Sequence, residues 1–394
     1  MQDATDIQEF FKLMVEKHAS DLYLTVARPP MYRVDGKIQA VGEQPFKPAD
    51  LEALAHSVMN ERQVKEFAET MEMNMAMSLP GVSRFRVNMF RQRGSVGMVV
   101  RRVKADPESM DDLGLPPVLK ELTMTKRGLI LVVGATGSGK STTLAAMVDH
   151  RNSNEAGHII TIEDPVEFVH RHKKSIVTQR EVGFDTQSFQ AALKNTLRQA
   201  PDVILIGEIR DTETMEAAIT FAETGHLCLG TLHSNNANQA IERIMNFFPV
   251  ERHSQIYLQL SLNLRAIISQ RLIPSLDGSR VAALEVLIDT PRIKDLIKKG
   301  ETDTIKEGME QGVQEGCQTF DQALFMLYKE GKIGLDQALI NADSANNLRL
   351  KIKLAGLKGD DETEQVQLPP VSNEQNGGKA EMPQSASAFR LRKT

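Results

Sequence analysis

The sequence predicts an α/β protein of two domains, a small α+β domain at the N-terminus and a larger α/β domain closed by a helical lobe. Three observations carry this. Much of the first hundred residues alternates apolar and polar with period two, the pattern of strands on a half-buried sheet. Beyond residue 117, apolar runs at 129–133, 159–162, 203–206, 227–232 and 283–288 are separated by helix-length segments, as in buried parallel strands. The first of these runs leads directly into Gly134-Ala-Thr-Gly-Ser-Gly-Lys140-Ser141, after which 142–150 has helical spacing.

In chain order, Leu22, Leu24 and Val26 mark a strand, and 30–34 ends in the turn dipeptide Asp35-Gly36. The stretch 48–70 has helical spacing through Leu51, Leu54, Val58 and Phe67. Met73, Met75, Met77 and Leu79 alternate, Pro80-Gly81 turns the chain, and Phe85, Val87 and Met89 alternate again before Gly94 and the run 96–103. The first domain is therefore 1–104. The stretch 105–117, with three prolines, four acidic residues and Gly114, is expected to be a hinge linker. The second domain spans 118–359; from 250 onward its pattern is mostly helical, with 255–271 and 319–328 the clearest amphipathic pieces. The tail 360–394 is polar, rich in Gln, Glu, Ser, Pro and Gly, and is expected to be disordered. It ends in Arg390, Arg392 and Lys393 around Phe389 and Leu391, a solvated end or a short partner-binding segment.

Composition excludes several classes. The 394 residues carry 47 Lys and Arg against 52 Asp and Glu, a net charge of −5, so nothing global draws the chain to nucleic acid or an anionic membrane. Cys228 and Cys317 cannot build a disulfide framework or a four-thiolate zinc module, and a reducing compartment is expected. Asp3, Asp6 and Glu9 stand where a signal peptide would be basic and then apolar. The longest apolar runs, such as 129–133, fall far short of the roughly 20 residues a spanning helix needs. The expected location is the cytoplasm.

The chemistry gathers around the phosphate loop. Its glycines, Gly134, Gly137 and Gly139, let backbone N–H groups turn inward at Ala135, Thr136 and Ser138, where the dipole of the helix through Thr142 helps bind the phosphates of ATP. Lys140 is a point charge, expected to face solvent unpaired until phosphate arrives, and the Ser141 hydroxyl suits Mg²⁺. Nucleotide binding alone is not hydrolysis, so carboxylates at neighbouring strand ends decide. The run 203–206 ends in Gly207-Glu208, where Glu208 is placed to reach magnesium through water. The run 159–162 ends in Glu163-Asp164-Pro165, where Glu163 is placed to deprotonate the attacking water. Asp202 lies at the wrong end of its strand. Acidic strand ends also cap helices, and each glutamate alone admits that reading. His233, after the run 227–232, is placed to sense the γ-phosphate, the alternative being a structural histidine.

Between 84 and 102 the chain holds six arginines (84, 86, 91, 93, 101 and 102) and no acid. Arg84 and Arg86 share the strand face opposite Phe85, Val87 and Met89. Planar, permanently charged forks suit nucleotide phosphates in the same subunit or across an interface. A nucleic-acid surface and a solvated face are the competing readings.

The order of phosphate loop, Thr161-Ile-Glu-Asp-Pro165, Gly207-Glu-Ile-Arg-Asp211 and Gly230-Thr-Leu-His-Ser234 resembles the type II/IV secretion ATPases over about residues 1 to 350. Ala19-Ser-Asp-Leu22, Arg33-Val-Asp-Gly36 and Arg84-Phe-Arg-Val-Asn88 resemble that family's N-terminal PAS-like domain. The resemblance implies a RecA-like second domain, Glu163 as catalytic base, Glu208 as the Walker B acid, His233 as the His-box residue, and phosphate-contacting arginines, best matched by Arg86, Arg91 and Arg101. It also implies a hexameric ring at the pilus base, peripheral to the inner membrane, docking on a platform protein, with no nucleic-acid partner. Within the family the chain is most similar to the PilT-type retraction motors; extension and secretion members usually carry a tetracysteine zinc module, which two cysteines cannot make, so the resemblance favours retraction over extension. There the motif Ala-Ile-Arg-Asn-Leu-Ile-Arg-Glu is matched by 292–299, whose last residue is Lys299 instead of an acid. That departure points to the PilU branch, whose members work beside a PilT-type motor. An accessory, nucleotide-binding ring subunit and, further off, a nucleic-acid translocase are the alternatives.

Overall fold

A computed structural model describes residues 6–80, 82–105 and 107–357. Gly81 of the expected Pro80-Gly81 turn and the tail expected at 360–394 lie outside the described residues.

The first domain is built on strands β1 (Asp21–Leu24), β2 (Met31–Val34), β3 (Lys37–Ala40), β4 (Glu72–Leu79), β5 (Ser83–Gln92) and β6 (Ser95–Ala105), antiparallel in the order β3-β2-β1-β6-β5-β4. Asp35 and Gly36, both at positive φ, make the β2–β3 turn that the sequence marks. One face of the sheet is closed by Phe10, Phe11 and Met14 of the helix Ile7–Glu16, with Phe11 stacked on Phe85 at 4.2 Å. The stretch 48–70 is two helices, Pro48–Val58 and Glu61–Thr70. The break falls at Asn60, whose side chain and that of Gln63 satisfy each other's backbone N–H groups, so the chain restarts a helix there.

The second domain carries β7 (Gly128–Val133), β8 (His158–Glu163), β10 (Ile176–Glu181), β11 (Val203–Ile206), β12 (Leu227–Leu232), β13 (Leu264–Pro274) and β14 (Arg280–Ile288), in the order β10-β8-β11-β12-β7-β13-β14. All are parallel except β14, which runs antiparallel to β13. The run 283–288, expected among the parallel strands, is thus the return arm of a hairpin turned by Asp277 and Gly278. A second correction concerns 255–271. Its first half is the helix His253–Asn263, but Leu264 onward is β13, buried on both faces, so apolar residues occur without alternation and the run mimics a helix face.

Leu129, Leu131, Val133 and Ile204 face one helical layer of the second domain, and Ile130, Val132, Val203 and Leu205 face the other. Met110 and Leu115, within the expected linker 105–117, are buried in the second of these clusters. A separate cluster around Phe320 and Leu324 forms the C-terminal helical lobe, where the helix Phe320–Lys329 matches expectation. The two domains are joined by more than the chain. A short strand β9 (Phe168–Val169), inserted in the second domain, pairs in parallel with the end of β6, Lys104 opposite Phe168 and Ala105 opposite Val169. Among the described residues no helix is long and apolar enough to cross a membrane.

Candidate active site

Parallel pairing sets the site's depth. Leu131, Ile162, Ile206 and Gly230 stand level across β7, β8, β11 and β12, so every chain leaves the sheet at the same carboxyl edge within about two residues. There β7 passes into the phosphate loop, β8 ends at Glu163, β11 runs into Gly207-Glu208 and β12 into His233. Gly207 has to be small: a Cβ on it would lie 3.1 Å from the Glu163 Cα and from the Ile162 carbonyl oxygen.

The loop winds through Gly134, Gly137 and Gly139 at φ of +151°, +78° and +89° and enters the helix Lys140–Asn154. Gln270 on β13 braces it from behind, its Oε1 accepting from Thr143 Oγ1 at 2.7 Å. The Ser138 hydroxyl is buried in the loop without a hydrogen-bond partner, next to the helix N-terminus. An unpaired donor there is what a phosphate oxygen would satisfy. Lys140 is not free, contrary to expectation: its Nζ donates to the carbonyls of Gly134 (2.9 Å) and Ala135 (3.0 Å). An ammonium half out of water takes the nearest acceptors, which the curled loop supplies. Burial also pushes its pKa below the usual lysine value.

Facing the loop across a cleft of about 240 Å³ are Glu163, Glu208 and His233, with Thr136, Gly137, Lys140 and Ser141 on the loop side. The Glu163 carboxylate accepts from Thr161 Oγ1 (2.6 Å) and Gln179 Nε2 (3.2 Å). Burial outweighs these bonds and raises its pKa above the ordinary carboxylate value, making it a better base. Glu208 pairs with Arg210 at 2.8 Å and with His233 Nε2 at 3.2 Å. Arg210 also lies 3.8 Å from Asp164, so one guanidinium links the ends of β8 and β11. Asp202, at the opposite end of β11, accepts the backbone N–H of His158.

The arginine strand meets the second domain. Phe85, Val87 and Met89 are buried in the first domain, and Arg84 and Arg86 project oppositely. Arg84 pairs with the buried Glu181 on β10 at 3.0 Å, and Arg86 donates to the Val166 carbonyl at 3.1 Å. Arg101 stands opposite Arg86 in register but pairs with Asp21 at 2.9 Å. Arg91 makes two 2.7 Å bonds to Glu52 and covers the Phe67 ring, all within the first domain. Arg86 therefore stands at the domain junction, while Arg91 and Arg101 are engaged in ion pairs inside the first domain.

Sequence reasoning passed over Gln179, Gln270, Arg210 and His170. Arg210 stood inside a recognised motif. His170 lines the cleft, buried and held neutral, its pKa pushed down to about 4 by burial. The two glutamines sit on strands with no local signal.

The family model described as type II/IV secretion system protein matches residues 4–341. The chain is 55% identical to the type IV pilus ATPase PilU of Pseudomonas aeruginosa, over 89% of this chain and 92% of that protein. It is 43% identical to the PilT retraction ATPase of the same organism, over 87% of this chain and 99% of the relative. The crystal structure of the pilus retraction motor PilT with bound ADP superposes with a TM-score of 0.81 at 44% identity, covering 88% of this chain and 99% of that one. With its phosphate loop, strand-end carboxylates and N-terminal domain all inside the matched span, the chain belongs to the type II/IV secretion system protein family.

Proposed function

We propose that the protein is an ATP-hydrolysing motor of the type IV pilus machinery, driving or assisting pilus retraction and twitching motility. The observation that carries the reading is the convergence of Lys140, Glu163, Glu208 and His233 on one cleft in a chain 55% identical to PilU. Residues 134–139 and Thr142 bind the phosphates of ATP through backbone N–H groups, and Lys140 exchanges its two loop carbonyls for phosphate oxygens. Ser141 and Glu208, the latter through water, are the residues that would hold Mg²⁺, which neutralises charge on the phosphate oxygens. Glu163 takes the proton of the attacking water. His233, bonded to Glu208, senses the γ-phosphate. Of Arg86, Arg91 and Arg101, Arg86 reaches phosphate charge with the least rearrangement, since it gives up one neutral carbonyl and no ion pair.

The working unit is a hexameric ring, cytoplasmic and peripheral to the inner membrane at the pilus base. It docks on the platform protein without inserting, and ATP turnover moves the two domains about the linker. The accessory reading, a ring subunit assisting a PilT-type motor, is favoured by the helix Pro291–Lys299, which buries Ile293, Leu296 and Ile297 and ends in Lys299 paired with Asp295 at 2.8 Å. Steady-state phosphate release by the isolated protein tests the proposal. Release that disappears in Lys140→Ala supports a motor ATPase. No release from the parent protein refutes hydrolysis and leaves the accessory reading.

A further inference from the structure

Glu163 is fastened to more than its own strand. Gln179 stands opposite Thr161 in the parallel register of β8 and β10, and both residues donate to the same oxygen of Glu163. The Gln179 amide does two more things: its Nε2 donates to the Phe168 carbonyl at 2.8 Å, and its Oε1 accepts the His170 backbone N–H at 2.8 Å. A carbonyl at 168 and an N–H at 170 are what an extended segment offers a neighbouring strand, so the side-chain amide stands in for a strand on β9. These partners also fix its orientation. Flipped, its oxygen would face the Phe168 carbonyl and the Glu163 carboxylate while its NH₂ faced an N–H.

We infer that Gln179 is a positioning residue for hydrolysis, its amide tying the Glu163 carboxylate to β9, the short strand that pairs with β6 of the first domain. The same segment is held from the first domain by Arg86 at Val166, two residues before Phe168. The catalytic base is therefore aligned through a chain of contacts that begins on the first domain: β6 to β9, β9 to the Gln179 amide, the amide to Glu163. A glutamine that only closed the end of β9 would need neither its third bond nor its level with Thr161.

The inference rests on Glu163 being the base, and the test separates the two. Gln179→Leu removes all three bonds, and Gln179→Glu keeps an acceptor for His170 while replacing the donor to Glu163 with a carboxyl group. Each is purified as the full chain, checked for an unchanged melting transition, and measured for single-turnover ATP hydrolysis and for the Kd of a fluorescent ADP analogue. Expected is a fall in the hydrolysis rate of about tenfold or more in both, with Kd within about twofold of the parent. The double variant Glu163→Gln with Gln179→Leu should be no slower than Glu163→Gln alone, since a residue acting through Glu163 has nothing left to position. If Glu163→Gln is slow but Gln179→Glu keeps the parent rate, or if the two losses multiply, the positioning role is overturned and the base assignment stands. If Glu163→Gln itself keeps the parent rate, the base assignment falls and the inference falls with it.

Discussion

Gly134→Ala puts a methyl group where the phosphate loop leaves β7, and the structure says how much that costs. Its Cβ would lie 2.5 Å from Ser138 Oγ and 2.6 Å from the Gln270 carbonyl oxygen, both well inside contact distance. The hydroxyl can rotate away; the carbonyl cannot, because Gln270 is fixed in the β13–β14 ladder opposite Leu284. Overlap of this kind costs about 1–3 kcal/mol. The residue also has φ of +151°, which a side chain rarely adopts, adding about 1–3 kcal/mol. Gly137→Ala is the control within the same loop: φ is +78° but nothing lies within 4 Å, so only backbone strain of about 1–2 kcal/mol applies. The difference, centred on about 2 kcal/mol, appears in one of two places. Either the loop holds its shape and the second domain melts lower, by roughly 2–4 °C per kcal/mol, or the loop shifts and ADP binds about 10–100-fold more weakly. Scanning calorimetry of the unliganded protein and a fluorescence titration with ADP together capture both. If Gly134→Ala matches Gly137→Ala in melting temperature and in Kd, the account of the loop as braced against β13 is wrong.

Burial raises the Glu163 pKa, and the base works only as the carboxylate, so hydrolysis should be full above that raised value and lost as pH falls through it. A pH profile of kcat should show an acid limb above the ordinary glutamate value of 4.5, and Glu163→Gln should remove the limb together with about a hundredfold or more of the rate. Arg86→Ala should leave nucleotide binding measurable and depress hydrolysis, with Arg86→Lys recovering part, because an ammonium supplies charge without the planar fork. Loss of polyanion binding with ATPase activity intact would instead assign that strand to nucleic acid.

How much of this was legible in the sequence follows from how far each contact reaches along the chain. The phosphate loop was legible because strand, turn and helix follow one another without interruption, so that local spacing carries the whole geometry. Glu163, Glu208 and His233 were placed at one edge because each ends an apolar run, and parallel strands bring their carboxyl ends level. The partners that tune them were not legible. Gln270 meets Thr143 across 127 residues and Arg91 meets Glu52 across 39, and no local pattern distinguishes such residues from solvated ones. Lys140 differs from expectation for a related reason: a sequence shows which charges are present, but not that the loop curls its own carbonyls onto one.

The strand β9 leaves no trace in the local sequence pattern, although it joins the two domains. Two residues, Phe168 and Val169, are too short for any period to register, and the pairing partner lies more than sixty residues upstream. Yet the first domain reaches the carboxyl edge of the second domain's sheet through this segment. Arg86 holds Val166, β6 holds β9, and Gln179 carries the contact on to Glu163. On the motor reading proposed above, hydrolysis coupled to domain movement needs some group that belongs to both bodies at once. A strand inserted in the second domain but hydrogen-bonded into the first domain's sheet meets that requirement, because withdrawing the first domain disturbs the same backbone that, through Gln179, holds the Glu163 carboxylate.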